Sequence, residues 1–139
     1  MSKPLAEALP VPEPTPVSRP FWEGLAQRRI IVQYSPSLGR YVFYPRMLAP
    51  GTLADDLEWR EIDGAGVLYT FTIARRPTGP PWVDAVPQLL AVVQWDVGPR
   101  ISTELVDVDP SDIRIGMRVR PVFWDIPEAG VTLLKYRSA

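Results

Sequence analysis

The sequence predicts a mainly β protein whose C-terminal part is a small closed barrel. Three segments, GVLYTFTI, QLLAVVQWD and RISTELVDV, are rich in β-formers, and the Gly-Pro pair between the last two predicts a tight turn. After them, DPSDIRIG predicts a short helical turn capped by Asp109, and MRVRPVFWD and GVTLLKY predict two further strands. Five strands with a helical turn between the third and the fourth are the arrangement of an OB-fold, a Greek-key barrel.

Composition limits the size and the location of the protein. The chain has 139 residues, 46% hydrophobic and 22% charged, which suits one globular domain with a small appended module. Its apolar runs are far shorter than the roughly 20 residues of a membrane helix, and the N-terminus lacks a basic region followed by an apolar one. We therefore expect a cytoplasmic protein that binds no membrane. The formal net charge of -1 also argues against nucleic acid as a partner.

The residue types that are missing narrow the chemistry. Cysteine and histidine are both absent, which excludes disulfides, thiolate nucleophiles, imidazole acid–base catalysis and the usual zinc ligands. Ser, Thr, Tyr, Lys and carboxylates remain, and the only lysines are Lys3 and Lys135. No nucleophile motif such as GxSxG accompanies them. We therefore predict no catalytic residues, and an enzyme that uses Tyr, Asp or Lys135 is a rival interpretation.

The chain divides into three predicted segments. They are a Pro-rich extended arm at 1–17, a helix followed by a ribbon-like hairpin at 18–58, and the OB-fold at 59–139. Proline at alternate positions of the arm favours a polyproline-like conformation. The arm either wraps a partner or is a loose tail.

A helix of two or three turns is predicted at SRPFWEGLAQRRI. Ser18 is placed to cap it, and the apolar Phe21 and Leu25 are one turn apart. Arg28 and Arg29 follow near its end, where the negative pole of the helix dipole favours cations.

The segment QYSPSLGRYVFYPRMLAPGTLADDLEW has the pattern of a metal-binding ribbon without its ligands. Two tight-turn segments, SPSLG and APGT, flank a short aromatic strand. Asp55 and Asp56 have no third oxygen ligand at loop spacing, so we interpret them as a polar turn and not as a metal site.

Several pieces, in their order and spacing, resemble the family called domain of unknown function 35. PFWEGLAQRRIIVQ resembles the family's helical start, FYPR its hairpin, and EWREIDGAGVLYTFTIARRP the passage into the first barrel strand. VDVDPSDIRIGMRVRPVF resembles its helical turn and fourth strand. The resemblance covers about Pro20 to Tyr136 and implies an N-terminal helix, a rubredoxin-like zinc ribbon and an OB-fold.

In that family, two CxxC pairs of the ribbon bind zinc. This sequence has Ser35 and Leu38 in place of the first pair, and Ala49 and Thr52 in place of the second. None of the four is a thiolate ligand, so the resemblance implies a ribbon that keeps its shape without metal. A structural zinc contributes on the order of 10 kcal/mol to a small module, and its loss requires a replacement.

Two explanations of the metal-free ribbon remain open. In the first, apolar and aromatic side chains pack in place of the metal, and a partner's surface supplies the rest. These side chains are Tyr34, Leu38, Tyr41, Phe43, Tyr44, Met47 and Leu48. In the second, residues 33–57 are partly mobile in the isolated chain.

The resemblance also implies a function. Family members are accessory subunits encoded with thiolase-like enzymes, and some associate with acyl-CoA hydratases. This chain is then a non-catalytic partner of a thiolase, aldolase or acyltransferase, and it completes or covers a substrate channel through which acyl-CoA passes. Thiolase chemistry needs a Cys nucleophile and His or Cys bases, so catalysis resides in the partner. The chain itself is expected to carry no cofactor and no zinc.

Four residues are candidate contacts to the coenzyme or to the partner. Arg75 and Arg76 in the loop ARRPTGPPW can meet CoA phosphates, and Trp82 can stack on an adenine or fill a pocket of the partner. A solvated arginine pair and a Trp packed over a Pro-rich loop is the plainer interpretation. Arg46 stands where the family has an Arg, and a structural ion pair explains it equally well.

Aromatic strand residues favour two different interpretations. An OB-fold can bind single-stranded nucleic acid by stacking bases, here on Tyr69 and Phe71, but we expect both rings to point into the barrel. Trp59, Trp95 and Trp124 are expected to pack in the core or at an interface. A stand-alone module that binds acyl-CoA without an enzyme is the remaining alternative.

Overall fold

The computed structural model describes residues 9–139, which form one helix and eight strands in two antiparallel sheets. Residues 1–8, the first part of the predicted arm, lie outside the described residues, and residues 9–15 contain no helix or strand. The elements are α1 (Arg19–Ala26), β1 (Ile30–Ser35), β2 (Arg40–Val42), β3 (Glu58–Ile62), β4 (Gly66–Ala74), β5 (Gln88–Trp95), β6 (Arg100–Glu104), β7 (Arg118–Ile126) and β8 (Val131–Ser138). In the described part of the chain, α1 is 8 residues long, too short to span a membrane.

The first sheet, which we call the ribbon sheet, has the strand order β2-β1-β3. Its central strand pairs with β2 from Gln33 opposite Val42, and with β3 from Ile30 opposite Ile62. The sequence predicts the hairpin but not the return of β3 to it. The predicted division between residues 58 and 59 falls at the start of β3, and the barrel's first strand begins at Gly66.

The second sheet is the predicted five-stranded barrel, with the order β6-β5-β4-β7-β8. A parallel bridge between Leu105 and Tyr136 joins its two outer strands and closes it. The helical turn between the third and fourth barrel strands is a 3-10 turn at Pro110–Asp112, and the Asp109 carboxylate accepts a hydrogen bond from the Ser111 amide at 2.9 Å. Both the OB-fold and the capping role of Asp109 are therefore confirmed.

One strand departs from its predicted alternation. We expected Tyr69 to point into the barrel with Phe71, and this is wrong for Tyr69. The pairing of β4 with β5 passes from Leu68 opposite Val93 to Thr70 opposite Val92, so Tyr69 is the extra residue of a β-bulge. Its side chain is 45% exposed, whereas Phe71 packs against the core.

The helix lies against the barrel through the two residues that the sequence predicts, because Phe21 and Leu25 are both buried in the core. Ser18 occupies the N-cap position, but its hydroxyl makes no bond to the helix. It accepts instead from the Thr15 amide at 2.9 Å and the Thr15 hydroxyl at 3.0 Å. The end of the arm is thus fastened to the start of α1.

The two arginines after α1 pair with strands instead of complementing the helix dipole. Both lie beyond the last helical residue, and Arg28 has a left-handed φ of 63°. Its guanidinium forms a bidentate ion pair with Asp125 of β7, and Arg29 donates from Nε to Glu61 of β3 at 2.6 Å. These contacts connect the helix to both sheets.

Candidate functional site

A groove of about 730 Å³ lies where α1, the loop after β2 and the barrel meet, and Leu9 and Pro10 of the arm also line it. We call it the aromatic groove and define it by six of its lining residues, Trp22, Phe43, Tyr44, Trp82, Trp124 and Leu133. One wall is formed by the whole length of β6, and another by the end of β7 and the middle of β8. Its volume is within the usual range for binding pockets of small molecules, about 300–1,000 Å³.

Packed rings build the wall between the ribbon sheet and the barrel. Phe43, just after β2, has its ring centroid 5.3 Å from Phe21 of α1 and 5.0 Å from Trp95 of β5, both edge to face. The indole of Trp22 donates to the Tyr44 hydroxyl at 3.2 Å. Edge-to-face ring pairs have a preferred geometry, so these contacts fix the ribbon's position against the barrel.

Charged side chains stand at both ends of β6. At one end, the Lys135 ammonium lies 3.4 Å from the Glu104 carboxylate and 4.2 Å from the centre of the Trp124 ring. At the other end, the Arg100 guanidinium stacks 3.7 Å from the centre of the Tyr69 ring. The rival interpretation that Lys135 is a catalytic base gains no support from this geometry, since its side chain is engaged by the Glu104 carboxylate and the Trp124 ring.

Ser35, at the first zinc-ligand position, is part of a hydrogen-bonded network around Asp56. Its buried hydroxyl donates to one Asp56 carboxylate oxygen at 3.0 Å and accepts from the Leu38 amide at 3.2 Å. The Ser37 amide donates to the other Asp56 oxygen at 2.8 Å. Hydrogen bonds from the Ser37 side chain and amide, and from Ser35, lower the pKa of Asp56. The Asp56 carboxylate thus joins the turn after β1 to the start of β3.

The second turn is closed by its own backbone. The Ala49 amide donates to the Ala54 carbonyl at 2.8 Å, and the Ala49 carbonyl accepts from the Leu53 amide at 2.9 Å. Ala49 is fully buried, and Thr52 is exposed. Among residues 9–139, no carboxylates are grouped so that they could hold a metal ion.

A buried glutamine fastens the loop between these turns. The Gln33 side chain accepts from the Arg46 amide and donates to the Arg46 carbonyl, both at 2.7 Å. The aromatic packing that we predicted is only partly present. Tyr34 and Tyr41 pack edge to face at 4.9 Å, but Met47 is 79% exposed and Leu48 is 41% exposed, so these two do not replace the metal.

The structure separates the four predicted contact residues. Trp82 lies half-buried in a 3-10 turn at Pro80–Trp82 and lines the aromatic groove. Arg46 is exposed and lines a second hollow of about 400 Å³ beside β2. Arg75 and Arg76 follow β4, are exposed, and line neither hollow. Their ligand roles therefore stay predictions.

The three strand tryptophans occupy different environments. Trp95 is buried at 1% exposure, and Trp59 is half-buried against the core. Trp124 is 41% exposed on the aromatic groove. The groove itself was missed by sequence reasoning, because its residues come from segments that are distant along the chain.

Comparisons with known proteins agree with this architecture. The family model described as "ChsH2, C-terminal OB-fold domain" matches residues 59–124. A DUF35 domain-containing scaffold protein of Pyrococcus furiosus is 30% identical over 129 residues, which are 90% of this chain and 93% of that protein. The chain belongs to the DUF35 family. In this DUF35 chain, as the sequence indicates, no cysteine is present at the ribbon's zinc positions.

Two further similarities concern proteins with enzyme names. A probable enoyl-CoA hydratase alpha subunit of Thermomonospora curvata is 32% identical to this DUF35 chain over 122 residues, 86% of the chain and 37% of that subunit. The solved structure called "Ltp2-ChsH2(DUF35) aldolase" is similar with a TM-score of 0.79 and 27% identity. That match covers 92% of this chain and 98% of the other.

Proposed function

We propose that this DUF35 chain is a non-catalytic accessory subunit of a thiolase-type acyl-CoA enzyme: a thiolase, an aldolase or an acyltransferase. The observation that carries the proposal is the likeness to a chain of the Ltp2-ChsH2(DUF35) aldolase, which extends over 98% of that chain. The names of the relatives, scaffold proteins and a hydratase subunit, support the same role. An acyl-CoA hydratase is a second candidate partner.

The residue types of this chain support a non-catalytic role, with catalysis in the partner. The chain has no Cys and no His, the residues that thiolase-type carbon–carbon chemistry needs as nucleophile and bases. Catalysis therefore belongs to the partner, and this chain completes or stabilises the partner's substrate channel. The proposal requires no metal and no resident cofactor in this chain, and places the complex in the cytoplasm.

Within that channel, Arg75 and Arg76 are the proposed contacts to CoA phosphates, because guanidinium forks match phosphate oxygens. Within residues 9–139, neither arginine forms an ion pair, and both are exposed. Trp82 is proposed to contact the adenine or the partner, and Arg46 the partner, from its separate hollow.

Affinity purification of the tagged chain from its native cell tests the proposal. We expect a thiolase-like or hydratase-like chain in stable ratio, identified by mass spectrometry, and recovery of the protein alone contradicts the proposal. Isothermal calorimetry with CoA is the companion measurement, since a subunit binds CoA weakly or not at all until its enzyme is present. Tight binding by the isolated chain favours a stand-alone acyl-CoA module instead.

The arginine contacts have their own test in the recovered complex. Substituting Arg75→Glu together with Arg76→Glu is expected to raise KM for the acyl-CoA about tenfold, the loss of one or two charge-assisted hydrogen bonds. Arg19→Glu together with Arg120→Glu, at exposed positions of α1 and β7, is the matched control, because it changes the net charge by the same amount. Equal effects of both changes would assign the loss to net charge and not to a phosphate contact.

A further inference from the structure

The edge of β6 that faces the aromatic groove has backbone groups that point away from β5. The Leu105 amide donates to the Leu89 carbonyl at 2.8 Å, and the Pro99 carbonyl accepts from the Trp95 amide at 2.9 Å. Odd-numbered residues of this stretch therefore direct their backbone groups to β5, and even-numbered ones direct theirs outward. The Val106 amide confirms this alternation by donating outward to the Tyr136 carbonyl of β8 at 2.8 Å.

Closure of the barrel leaves the middle of this edge open. Beside the Leu105–Tyr136 bridge, the Thr103 hydroxyl donates to the Leu134 carbonyl at 2.7 Å, so β6 and β8 are joined at one end. No bridge pairs the outward side of Ser102 within residues 9–139, and Ser102 is exposed and lines the groove. Among residues 9–139, no strand therefore lies beside this N–H and this C=O, which face the groove that Leu9 and Pro10 of the arm also line.

The flanking charges do not screen this edge as edge charges usually do. Charged side chains on an outer strand commonly block pairing with another chain. Here Arg100 is drawn back over the Tyr69 ring, with Nε 3.4 Å from the Gln94 side chain, and Glu104 is paired with Lys135. Arg100 thus leans back toward β4 and β5, whereas Glu104 reaches across to β8 at the end where the two strands are already joined, so Ser102 stays exposed between them.

Large apolar side chains on the groove remain partly exposed and could contact a partner protein. Three large side chains on the groove keep much of their surface exposed: Tyr44 at 45%, Leu90 at 39% and Trp124 at 41%. Exposed apolar patches mark interaction sites, and aromatic residues are enriched in the contacts between proteins. The Arg100 guanidinium has no carboxylate partner among the described residues, so it can pair with an acidic side chain of the occupant.

We propose that the aromatic groove receives an extended segment of a partner polypeptide, which adds as a strand to the open edge of β6. Its backbone pairs with the N–H and C=O of Ser102, its alternate side chains are apolar and enter the groove, and a carboxylate lies opposite Arg100. β6 has 5 residues, a length of roughly 17 Å that a segment of similar length matches. This mode is strand addition, in which backbone bonds give affinity and pockets give specificity. It goes beyond the proposed function and stands without it.

A peptide library tests the proposal on the whole protein. The probe is a set of terminally blocked peptides with the length of β6, with varied apolar residues at alternate positions and Asp or Asn at one end. Selected peptides are then titrated by calorimetry against Ser102→Pro and Ser102→Ala. Proline at this position removes the outward N–H of β6. The outer edge of a strand tolerates proline, so the pairing of β6 with β5 should remain. We expect at least about tenfold weaker binding to Ser102→Pro, about 1.4 kcal/mol, and nearly unchanged binding to Ser102→Ala.

Two measurements keep the test decisive if Ser102→Pro fails to fold. In an added strand, alternate peptide N–H groups point toward β6 and away from it. N-methylation of the amides that point toward β6 should abolish binding to the unaltered protein, and N-methylation of the other amides should leave binding intact. Only strand pairing explains such a difference. The preference for Asp over Asn peptides should disappear in Arg100→Gln. Binding that ignores N-methylation, or no binding peptide at all, overturns the proposal.

Other occupants would give different results. If decanoyl-CoA displaces the peptide and binds equally to both Ser102 variants, the groove is a small-molecule site and the proposal is wrong. If the protein dimerises with concentration and Ser102→Pro prevents it, the occupant is a second copy of this chain, which also overturns the assignment to a partner.

Discussion

The Tyr136 hydroxyl connects the ribbon–barrel junction to the core, so its removal should destabilise the protein strongly. Tyr136 is fully buried on β8, and its hydroxyl accepts from the Trp95 indole at 2.6 Å and donates to the Gly64 carbonyl at 2.7 Å. Tyr136→Phe keeps the ring but leaves a buried N–H and a buried C=O without a partner. Each orphaned group costs about 1–3 kcal/mol, so we expect a loss of about 2–4 kcal/mol after relaxation.

The assay is thermal and urea unfolding of the whole chain. For 139 residues, the usual unfolding entropy of about 2.1 cal/mol/K per residue converts that loss into a Tm lower by roughly 7–14 °C. Burial raises the pKa of Tyr136, so the hydroxyl stays protonated and the deficit should not change between roughly pH 6 and 9. Tyr69→Phe is the matched control, since that side chain is 45% exposed and should change stability by less than about 0.5 kcal/mol. A loss below about 1 kcal/mol in Tyr136→Phe would refute the reasoning.

Three further predictions concern the ribbon and the barrel. The folded-state pKa of Asp56 is lowered, so its carboxylate stabilises the ribbon above the unfolded pKa of about 3.9, and this contribution is lost as pH falls through the folded value. The Tm difference between the unaltered protein and Asp56→Asn should thus be full above about pH 5 and shrink in acid, and a constant difference contradicts this. Gly66→Ala places a Cβ 2.3 Å from the Gln94 carbonyl oxygen and should cost about 3 kcal/mol in urea unfolding, whereas Gly79→Ala, with its nearest atom at 3.8 Å, should be nearly neutral. Restoring four cysteines should create a site for one zinc, measured by elemental analysis, and no zinc uptake contradicts the assignment of the ligand positions. The changes are Ser35→Cys, Leu38→Cys, Ala49→Cys and Thr52→Cys.

The barrel could be predicted from the sequence because its signals are local. Each barrel strand carries its own run of β-formers between turn residues, and Asp109 with Pro110 forms the expected capped turn. The bulge at Tyr69 was not predictable in this way, since alternation along one strand contains no information on the residue count of its partner. The same limit applies to β3, whose pairing with β1 joins residues such as Ile30 and Ile62 across the whole ribbon.

The metal-free ribbon was also predictable only in part. The loss of the zinc ligands is evident from the sequence, because none of the residues at the four ligand positions is a cysteine. The hydrogen bonds that hold the ribbon in place of the metal are not evident from it. Asp56 was interpreted only as a polar turn, and the structure makes it the acceptor for Ser35 and Ser37. Gln33 was not singled out at all, although its amide holds the Arg46 backbone at both atoms. Such bonds depend on the three-dimensional path of a loop, which residue spacing does not determine.

Reconstitution of the recovered enzyme with and without this chain tests the central claim most directly. The measurement is the rate of acyl-CoA cleavage or condensation by the purified partner alone, by this chain alone, and by the two together. An accessory subunit predicts no activity from this chain, low activity from the partner, and a large increase when they combine, abolished by changing the partner's catalytic residues. Turnover by this chain alone, or a partner that is equally active without it, would contradict the account.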